Sequence, residues 1–216
     1  MSTGSACQSN PKTQIAALEA GSIPLLIRLV SFDPSSEVRA RALYAISGLV
    51  RNFPLAQKSL VENGGLTTFH DIFQTDSADL TKLQLKIVTL LSDLMSERSA
   101  VVAQIQMDGK NNNITAEKKK QYDAAGVEQV LVEQGFCLLI PRLLTYNESG
   151  EHDVVEKVLQ AMISLSTQCN TQFHPVQSLI QTLEDRYQKL STGDDDYFIK
   201  LHTMCRQLLQ SQRDEL

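Results

Sequence analysis

Residues 53–66 read FPLAQKSLVENGGL, and residues 10–23 read NPKTQIAALEAGSI. The two stretches carry proline, glutamine and glycine in the same places, so that Gly21 and Gly64 are 43 residues apart. A third copy, LVEQGF, begins at residue 131, and its glycine, Gly135, lies 71 residues beyond Gly64. The chain therefore contains an internal repeat, and about 28 extra residues lie between its second and third copies.

A period of 43 residues lies within the roughly 40 to 47 residues of armadillo and HEAT repeats. Each copy predicts three helices: a short helix that begins at Pro11 or Pro54 and ends at Gly21 or Gly64, a second helix, and a long third helix. We therefore predict an all-α fold, an armadillo/HEAT-like right-handed superhelical solenoid with C-terminal capping helices.

Apolar residues recur at helical spacing in the second and third helices of each copy. In the second helices they are Leu25, Leu26, Leu29, Val30, Phe69, Ile72 and Phe73. In the third helices they are Val38, Ala42, Leu43, Ala45, Ile46, Leu49, Val50, Leu83, Leu85, Ile87, Val88, Leu90, Leu91, Leu94, Met95, Val155, Val158, Leu159, Met162 and Leu165. Apolar faces this wide need burial against neighbouring repeats, which is the condition for a solenoid.

The repeats are predicted to occupy residues 1–175, and the extra residues form a polar insertion at about 98–128. Residues 176–212 are predicted to form capping helices, which cover the last exposed face of the core. Residues 213–216 are left as a tail.

The composition and motifs exclude several classes of function. With 20 basic and 25 acidic residues the net charge is -5, which predicts neither a nucleic-acid partner nor attraction to an anionic membrane. No apolar run approaches the roughly 20 residues that span a bilayer, so we predict no membrane insertion.

No phosphate loop, nucleophile elbow or H-E-x-x-H helix occurs, so we predict a protein that is not an enzyme and has no catalytic residue and no cofactor. His202 and Cys205 could share a helix face, but a tetrahedral metal site needs more ligands, and we predict none.

The C-terminus points to the lumen of the endoplasmic reticulum. The chain ends one residue away from the Lys-Asp-Glu-Leu retrieval signal, with Arg213, Asp214, Glu215 and Leu216. This tail predicts a retrieval receptor as a partner. Two glycosylation sequons, at Asn113 and Asn147, agree with that compartment, and we place both in surface loops. No signal peptide is visible at the start, so we expect the chain to be a fragment, a partial gene model or the product of an alternative start.

The four cysteines would meet an oxidising environment in the lumen. They are Cys7, Cys137, Cys169 and Cys205, and three complete pairings are possible. Cys137 lies in the apolar run FCLLI at residues 136–140, which favours a small core residue over a nucleophile.

Third helices of such a solenoid line its concave side, so their non-core positions form a surface for a partner. Aligning them on Leu49, Leu94 and Leu165 produces three rows. The rows are Arg41, Lys86 and Lys157; Tyr44, Thr89 and Gln160; and Gly48, Asp93 and Ser164. The basic row suits an acidic or mixed protein surface, although charged residues also populate any exposed helix face. Tyr44 is the best anchor candidate, because aromatic residues are enriched at interface hot spots.

Several motifs resemble the armadillo nucleotide exchange factors of heat-shock chaperones. They are NPKTQ at 10–14, ALYAISGLVR at 42–51 and FPLAQ at 53–57. Other stretches and the retrieval-like tail resemble the lumenal, Sil-type branch of these factors. These stretches are VTLLSDL at 88–94, KKQY at 119–122, EKVLQ at 156–160 and GDDDYF at 193–198. The resemblance covers nearly all of residues 10–216.

The resemblance implies a nucleotide exchange factor for the lumenal chaperone BiP. The concave face would clasp one lobe of the BiP ATPase domain and tilt it, so that ADP leaves and ATP enters, in support of protein folding and translocation. The alternative is an armadillo adaptor that binds a protein or an extended peptide without exchange activity. Peptide-binding armadillo proteins present repeated Asn and Trp on the third helix, whereas here Gly48, Asp93 and Ser164 occupy the Asn row and Trp is absent.

Overall fold

The computed structural model describes residues 10–75, 78–108, 113–145, 151–191 and 196–213, and it is helical with no strand over these ranges. Residues Met1–Gln134 form one compact unit and residues Gly135–Leu216 form another. This arrangement of helix triplets confirms the predicted all-α, armadillo-like fold class. Cys7, Asn147, Asp214, Glu215 and Leu216 lie outside the described residues.

The first unit contains two helix triplets followed by two further helices. The triplets are α1 (Pro11–Glu19), α2 (Ser22–Phe32) and α3 (Ser36–Val50), then α4 (Pro54–Glu62), α5 (Gly65–Gln74) and α6 (Ala78–Asp108). The further helices are α7 (Asn113–Ala125) and α8 (Val127–Glu133). The second helices of the two triplets pack together, as do the third helices, and α7 packs against α4 and α6.

The repeated glycines separate the first and second helices, as predicted. Gly21 and Gly64 have φ values of 67° and 73°, in the left-handed region where a side chain is strained. The repeated prolines begin α1 and α4, where a missing backbone N–H costs nothing.

The apolar faces of the third helices are buried at every predicted residue except Val38 and Leu85, but the prediction for α2 needs correction. Its buried residues are Ile23, Ile27 and Val30, spaced by one helical turn on the side that faces the core. Leu25 and Leu29 lie on the opposite side and are 64% and 40% exposed. Of the predicted apolar residues of α2, Val30 is buried and Leu26 is half-buried, whereas Leu25 and Leu29 lie off the face that packs.

The described part of the polar insertion is almost entirely helical. It contains the second half of α6, which continues to Asp108, and all of α7. Asn113 is the first residue of α7 rather than part of a surface loop, although its side chain is exposed. The loop prediction failed because polarity indicates exposure but does not distinguish a loop from a solvated helix.

The second unit contains the remaining helices. They are α9 (Phe136–Thr145), α10 (His152–Cys169), a 3₁₀ segment (Asn170–Val176), α11 (Gln177–Leu190) and α12 (Asp196–Arg213). The last two helices pack on each other, and α12 packs against α10. No single helix among the described residues is long and apolar enough to cross a membrane; α1 and α2 reach that length and composition only when taken together across a 79° bend.

A disulfide joins Cys137 at the start of α9 to Cys169 at the end of α10. Their Cα atoms are 5.3 Å apart, within the usual range for a disulfide. Cys205 is a buried thiol, and its burial raises its pKa to about 12. The structure thus contains one bond of the pairings that the sequence leaves open, while Cys205 is a thiol rather than a member of a second disulfide. Its raised pKa makes Cys205 a poor nucleophile at neutral pH.

Candidate functional site

The predicted rows on the first unit lie on α3 and α6, which pack side by side. Arg41 and Lys86 are exposed, and Tyr44 is 42% exposed, as an anchor for a partner would need to be. Arg41 forms an ion pair with Glu37 one turn earlier, which offsets part of the charge of the basic row. The Thr89 hydroxyl donates a hydrogen bond to the Leu85 carbonyl at 2.9 Å.

Gly48 needs correction as a surface position. It is buried, and its carbonyl accepts a hydrogen bond from Gln14 Nε2 at 3.1 Å. The same amide nitrogen lies 3.2 Å from the Leu49 carbonyl and 3.0 Å from the Arg51 carbonyl. Gln14 therefore caps the C-terminus of α3, where backbone carbonyls have no partner within the helix.

Gln57 occupies the same place in the second repeat but makes different contacts. Its Nε2 donates to the Val50 carbonyl at 3.1 Å and to Glu97 Oε2 at 2.9 Å. The third helix of this repeat, α6, continues past the position where α3 ends. The carbonyls that Gln57 would cap are consequently used inside α6, and the glutamine bonds to a carboxylate instead.

Glu97 is the point where three segments of the first unit meet. Its Oε2 accepts hydrogen bonds from the Asn52 backbone N–H at 2.8 Å, from Gln57, and from the Tyr122 hydroxyl at 3.4 Å. Asn52 has a left-handed φ of 57°, which asparagine tolerates better than most residues. The carboxylate thus connects the junction between the repeats, the first helix of the second repeat, and the inserted helix α7.

Beside Glu97, Arg51 at the end of α3 pairs with Asp93 on α6. Arg51 Nε donates to Asp93 Oδ2 at 2.8 Å, and its terminal nitrogens bond to the same carboxylate and to the Ser47 hydroxyl. The third-row residue Asp93 is therefore committed to an ion pair between the two third helices, which holds Arg51 at the edge of the surface.

These residues surround a groove of about 640 Å³ between the end of α3, α6 and α7. Its polar lining residues are Arg51, Asn52, Asp93, Ser96, Glu97, Gln104, Thr115, Lys118 and Tyr122. The position of α7 is secured by Arg98 on α6, which donates to Asp123 at 3.1 and 3.0 Å and pairs with Glu128 at 2.6 Å.

The sequence reasoning missed Glu97, Asn52 and Tyr122 as groove residues. A signal for Glu97 was present, since it lies one helical turn beyond Asp93 on the same stripe of α6. Asn52 and Tyr122 had no such signal, because neither lies on a third helix.

Burial raises the pKa of Glu97 above its ordinary value of 4.5, and the negative charge of Asp93 adds to the rise. Hydrogen bonds from the Asn52 backbone and from Gln57, and the positive charge of Arg51, lower the pKa in opposition. Folding therefore favours the protonated form. The resulting stabilisation is fully present below the unfolded-state pKa and is lost as the pH rises through the folded-state pKa.

We expect Glu97→Gln to remove this pH dependence, because the amide is neutral at every pH. The free energy of unfolding, measured in urea at several pH values from 4.5 to 8, should exceed that of the wild type most at pH 8, and the two should converge towards pH 4.5. Parallel curves would contradict a raised pKa, and Glu62→Gln on the exposed end of α4 provides the control.

In the second unit, the row residues lie on α10. Lys157 pairs with Asp153 at 2.6 Å, Gln160 is exposed, and the Ser164 hydroxyl donates to the Gln160 carbonyl at 3.0 Å. The basic row is again balanced by a carboxylate one turn earlier, as it is at Arg41.

The pair of possible metal ligands does not assemble a site. His202 Nε2 lies 2.8 Å from Glu184 Oε1, and Cys205 is buried. Over the described ranges of the chain, no group of three or more His, Cys, Asp or Glu side chains is arranged to hold a metal ion.

Comparison with known proteins identifies the family. The sequence profile of the SIL1/FES1/HPBP1 C-terminal domain matches residues 1–213. The chain belongs to the SIL1/FES1/HPBP1 family. The resemblance to armadillo nucleotide exchange factors, drawn above from motifs in the first two repeats, is confirmed at the level of this family.

Curated members of the SIL1/FES1/HPBP1 family match most of the chain. Nucleotide exchange factor SIL1 of Mus musculus is 32% identical over 97% of this chain and 45% of its own length. The protein of the same name from Xenopus laevis is 31% identical over 92% of this chain and 43% of its own length. Hsp70 nucleotide exchange factor FES1 of Candida albicans is 26% identical over 88% of this chain and 58% of its own length. The chain thus spans about half the length of these relatives.

One solved structure shares the fold. An engineered protein superimposes with a TM-score of 0.52 at 15% identity, over 98% of this chain and 87% of its own. A designed armadillo repeat protein matches 97% of this chain and 90% of its own at 18% identity, with a TM-score of 0.47.

Proposed function

We propose that this chain is a non-catalytic nucleotide exchange factor for an Hsp70 chaperone, and that the chaperone is BiP in the lumen of the endoplasmic reticulum. The observation that carries the proposal is the match of relatives named as nucleotide exchange factors over 88 to 97% of the chain. The partner would be the BiP ATPase domain, held by the third-helix rows.

The mechanism requires no chemistry on this chain. A factor that binds the open, nucleotide-free ATPase domain more tightly than the closed one shifts the population towards the open form. By linkage, nucleotide must weaken binding of the factor by the same ratio by which the factor weakens nucleotide binding. Exposed Arg41, Tyr44 and Lys86 on paired helices offer a mixed polar and aromatic surface for such a contact.

Three features support the lumenal assignment. The Cys137–Cys169 disulfide suits an oxidising compartment. Asn113 is exposed, as a glycan acceptor must be, and Asn147 is the second proposed acceptor. The four terminal residues, 213–216, are proposed to bind the retrieval receptor.

We expect the chain to accelerate release of a fluorescent ADP analogue from the purified BiP ATPase domain. The triple variant Arg41→Glu/Lys86→Glu/Lys157→Glu should reduce binding at least about tenfold, since a reversed charge at an interface both removes an attraction and adds a repulsion. The measurements are stopped-flow fluorescence for nucleotide release and interferometry for binding.

The matched control is Arg28→Glu/Lys58→Glu/Arg206→Glu, which changes the net charge equally at exposed positions outside the rows. Equal loss in both triple variants would show a general charge effect and remove the rows from the interface. Binding without acceleration of release would leave an adaptor and contradict the proposed exchange activity.

A further inference from the structure

The two oxygens of Glu97 have different surroundings. Oε2 accepts hydrogen bonds from Asn52, Gln57 and Tyr122. Oε1 accepts no hydrogen bond from the part of the chain that the structure describes, and Glu97 lines the groove between α3, α6 and α7. The carboxylate is therefore anchored through Oε2, and Oε1 remains an acceptor without a donor among the described residues.

The cations around the groove do not neutralise Glu97. Arg51 forms its ion pair with Asp93. The ammonium of Lys118 lies 6.0 Å from the centroid of the Tyr122 ring. Among the described residues, no ion pair to Glu97 is formed, so Glu97 is a half-buried carboxylate without a bonded counter-charge, and the nearby charge of Arg51 acts on it only through space. A carboxylate in that position gains from a cation that arrives with a bound partner, because the desolvation is already paid when the chain folds.

The rest of the groove suits the stem of a long basic side chain. Its remaining walls combine apolar Ala100, Val101 and Ile114 with polar Ser96, Gln104 and Thr115. The apolar residues can contact the methylene groups of such a side chain, and the volume of about 640 Å³ can hold it. Lysine and arginine bury their methylene groups along apolar surface while the charged head reaches a polar partner. A short hydroxyl side chain would leave the apolar walls uncovered.

We propose that this groove receives a lysine or arginine side chain of the chaperone ATPase domain, with Glu97 Oε1 accepting a hydrogen bond from its charged head. The inference rests on the proposed function and specifies one contact within it. It predicts a mixed interface, in which the basic row of this chain meets acidic groups and Glu97 meets a basic one.

The variant Glu97→Gln tests the contact without removing the anchor. The amide oxygen can still accept from Asn52, Gln57 and Tyr122, which places the amide NH₂ on the groove side, where it repels a donor. Circular dichroism and thermal unfolding should show an intact fold. Glu62→Gln, which removes the same charge at an exposed position on α4, is the matched control.

Binding of each variant to the purified BiP ATPase domain would be measured by interferometry at low and high salt. We expect at least about tenfold weaker binding for Glu97→Gln at low salt, mainly through faster dissociation, and no change for Glu62→Gln. The loss should shrink at high salt as screening weakens the remaining attraction.

The outcomes separate the two proposals. Wild-type binding that Glu97→Gln leaves unchanged overturns the groove contact and leaves the exchange function standing. A folded wild-type chain that does not bind the ATPase domain removes the proposed function and the contact together. Equal weakening by Glu97→Gln and Glu62→Gln assigns the effect to net charge and also overturns the contact.

Discussion

Removing the disulfide with Cys137→Ala/Cys169→Ala should lower the free energy of unfolding of the second unit by about 4 kcal/mol. The bond links residues 32 positions apart, and opening a loop of this length returns that much conformational freedom to the unfolded chain at about 25 °C. Both cysteines are buried, so the loss of packing adds to the effect. The measurement is urea unfolding followed by circular dichroism.

Two controls locate the effect in the bond. The wild type in reductant, with reduction verified by thiol counting, should unfold close to the double variant. Cys205→Ala removes a buried thiol that is not in a disulfide, so its own cost should be smaller and its response to reductant should equal that of the wild type. A reduced wild type with an unchanged midpoint would contradict a stabilising disulfide.

Gly65→Ala should destabilise the first unit by roughly 1–3 kcal/mol, because the added methyl group overpacks a filled site. A Cβ at this position would lie 2.3 Å from Leu60 Cδ1 and 2.8 Å from the Leu60 backbone oxygen. The side chain of Leu60 can rotate, but its carbonyl belongs to α4 and cannot move without shifting that helix.

The neighbouring Gly64→Ala is the matched comparison. A Cβ there meets nothing within 4 Å, but the φ of 73° makes any side chain strained by roughly 1–2 kcal/mol. Combining Gly65→Ala with Leu60→Ala should recover little, since the clash with the carbonyl remains. Urea unfolding that shows less than about 0.5 kcal/mol for Gly65→Ala would contradict the close approach.

The repeat motif determined much of the fold because its cues act locally. Pro11 and Pro54 begin helices, and Gly21 and Gly64 adopt the left-handed conformation. The third helices bury all the predicted residues except Val38 and Leu85, which are half-buried. These features depend on backbone sterics and helical periodicity within a few residues, so a single sequence contains them. The family resemblance was carried by the same motifs.

Residues that occupy the same position in the two repeats make different contacts, because the segments packed around them differ. Gln14 caps the end of α3, whereas Gln57 bonds to Glu97, because α6 does not end where α3 does. Ser22 stands in the first repeat where Gly65 stands in the second, and only the approach of Leu60 makes the glycine necessary.

Of the candidate site, the exposed row residues could be predicted from the sequence, but the groove around Glu97 could not. The exposed residues of the rows, Arg41, Tyr44 and Lys86, followed from helix registers, and their exposure agrees. The groove around Glu97 did not follow, because it requires α7 to pack across α4 and α6, and its donors come from a junction, a first helix and an inserted helix.

By itself, the sequence determined the repeat, the helix boundaries near each proline and glycine, and the exposed positions of Arg41, Tyr44 and Lys86 on the third helices. Only the tertiary structure decided the pairing of Cys137 with Cys169, the helical form of the insertion at Asn113, and the bonding of Glu97. The physical reason is range: periodicity and backbone sterics act over a few residues, whereas disulfides, close approaches and buried carboxylates depend on residues tens of positions apart.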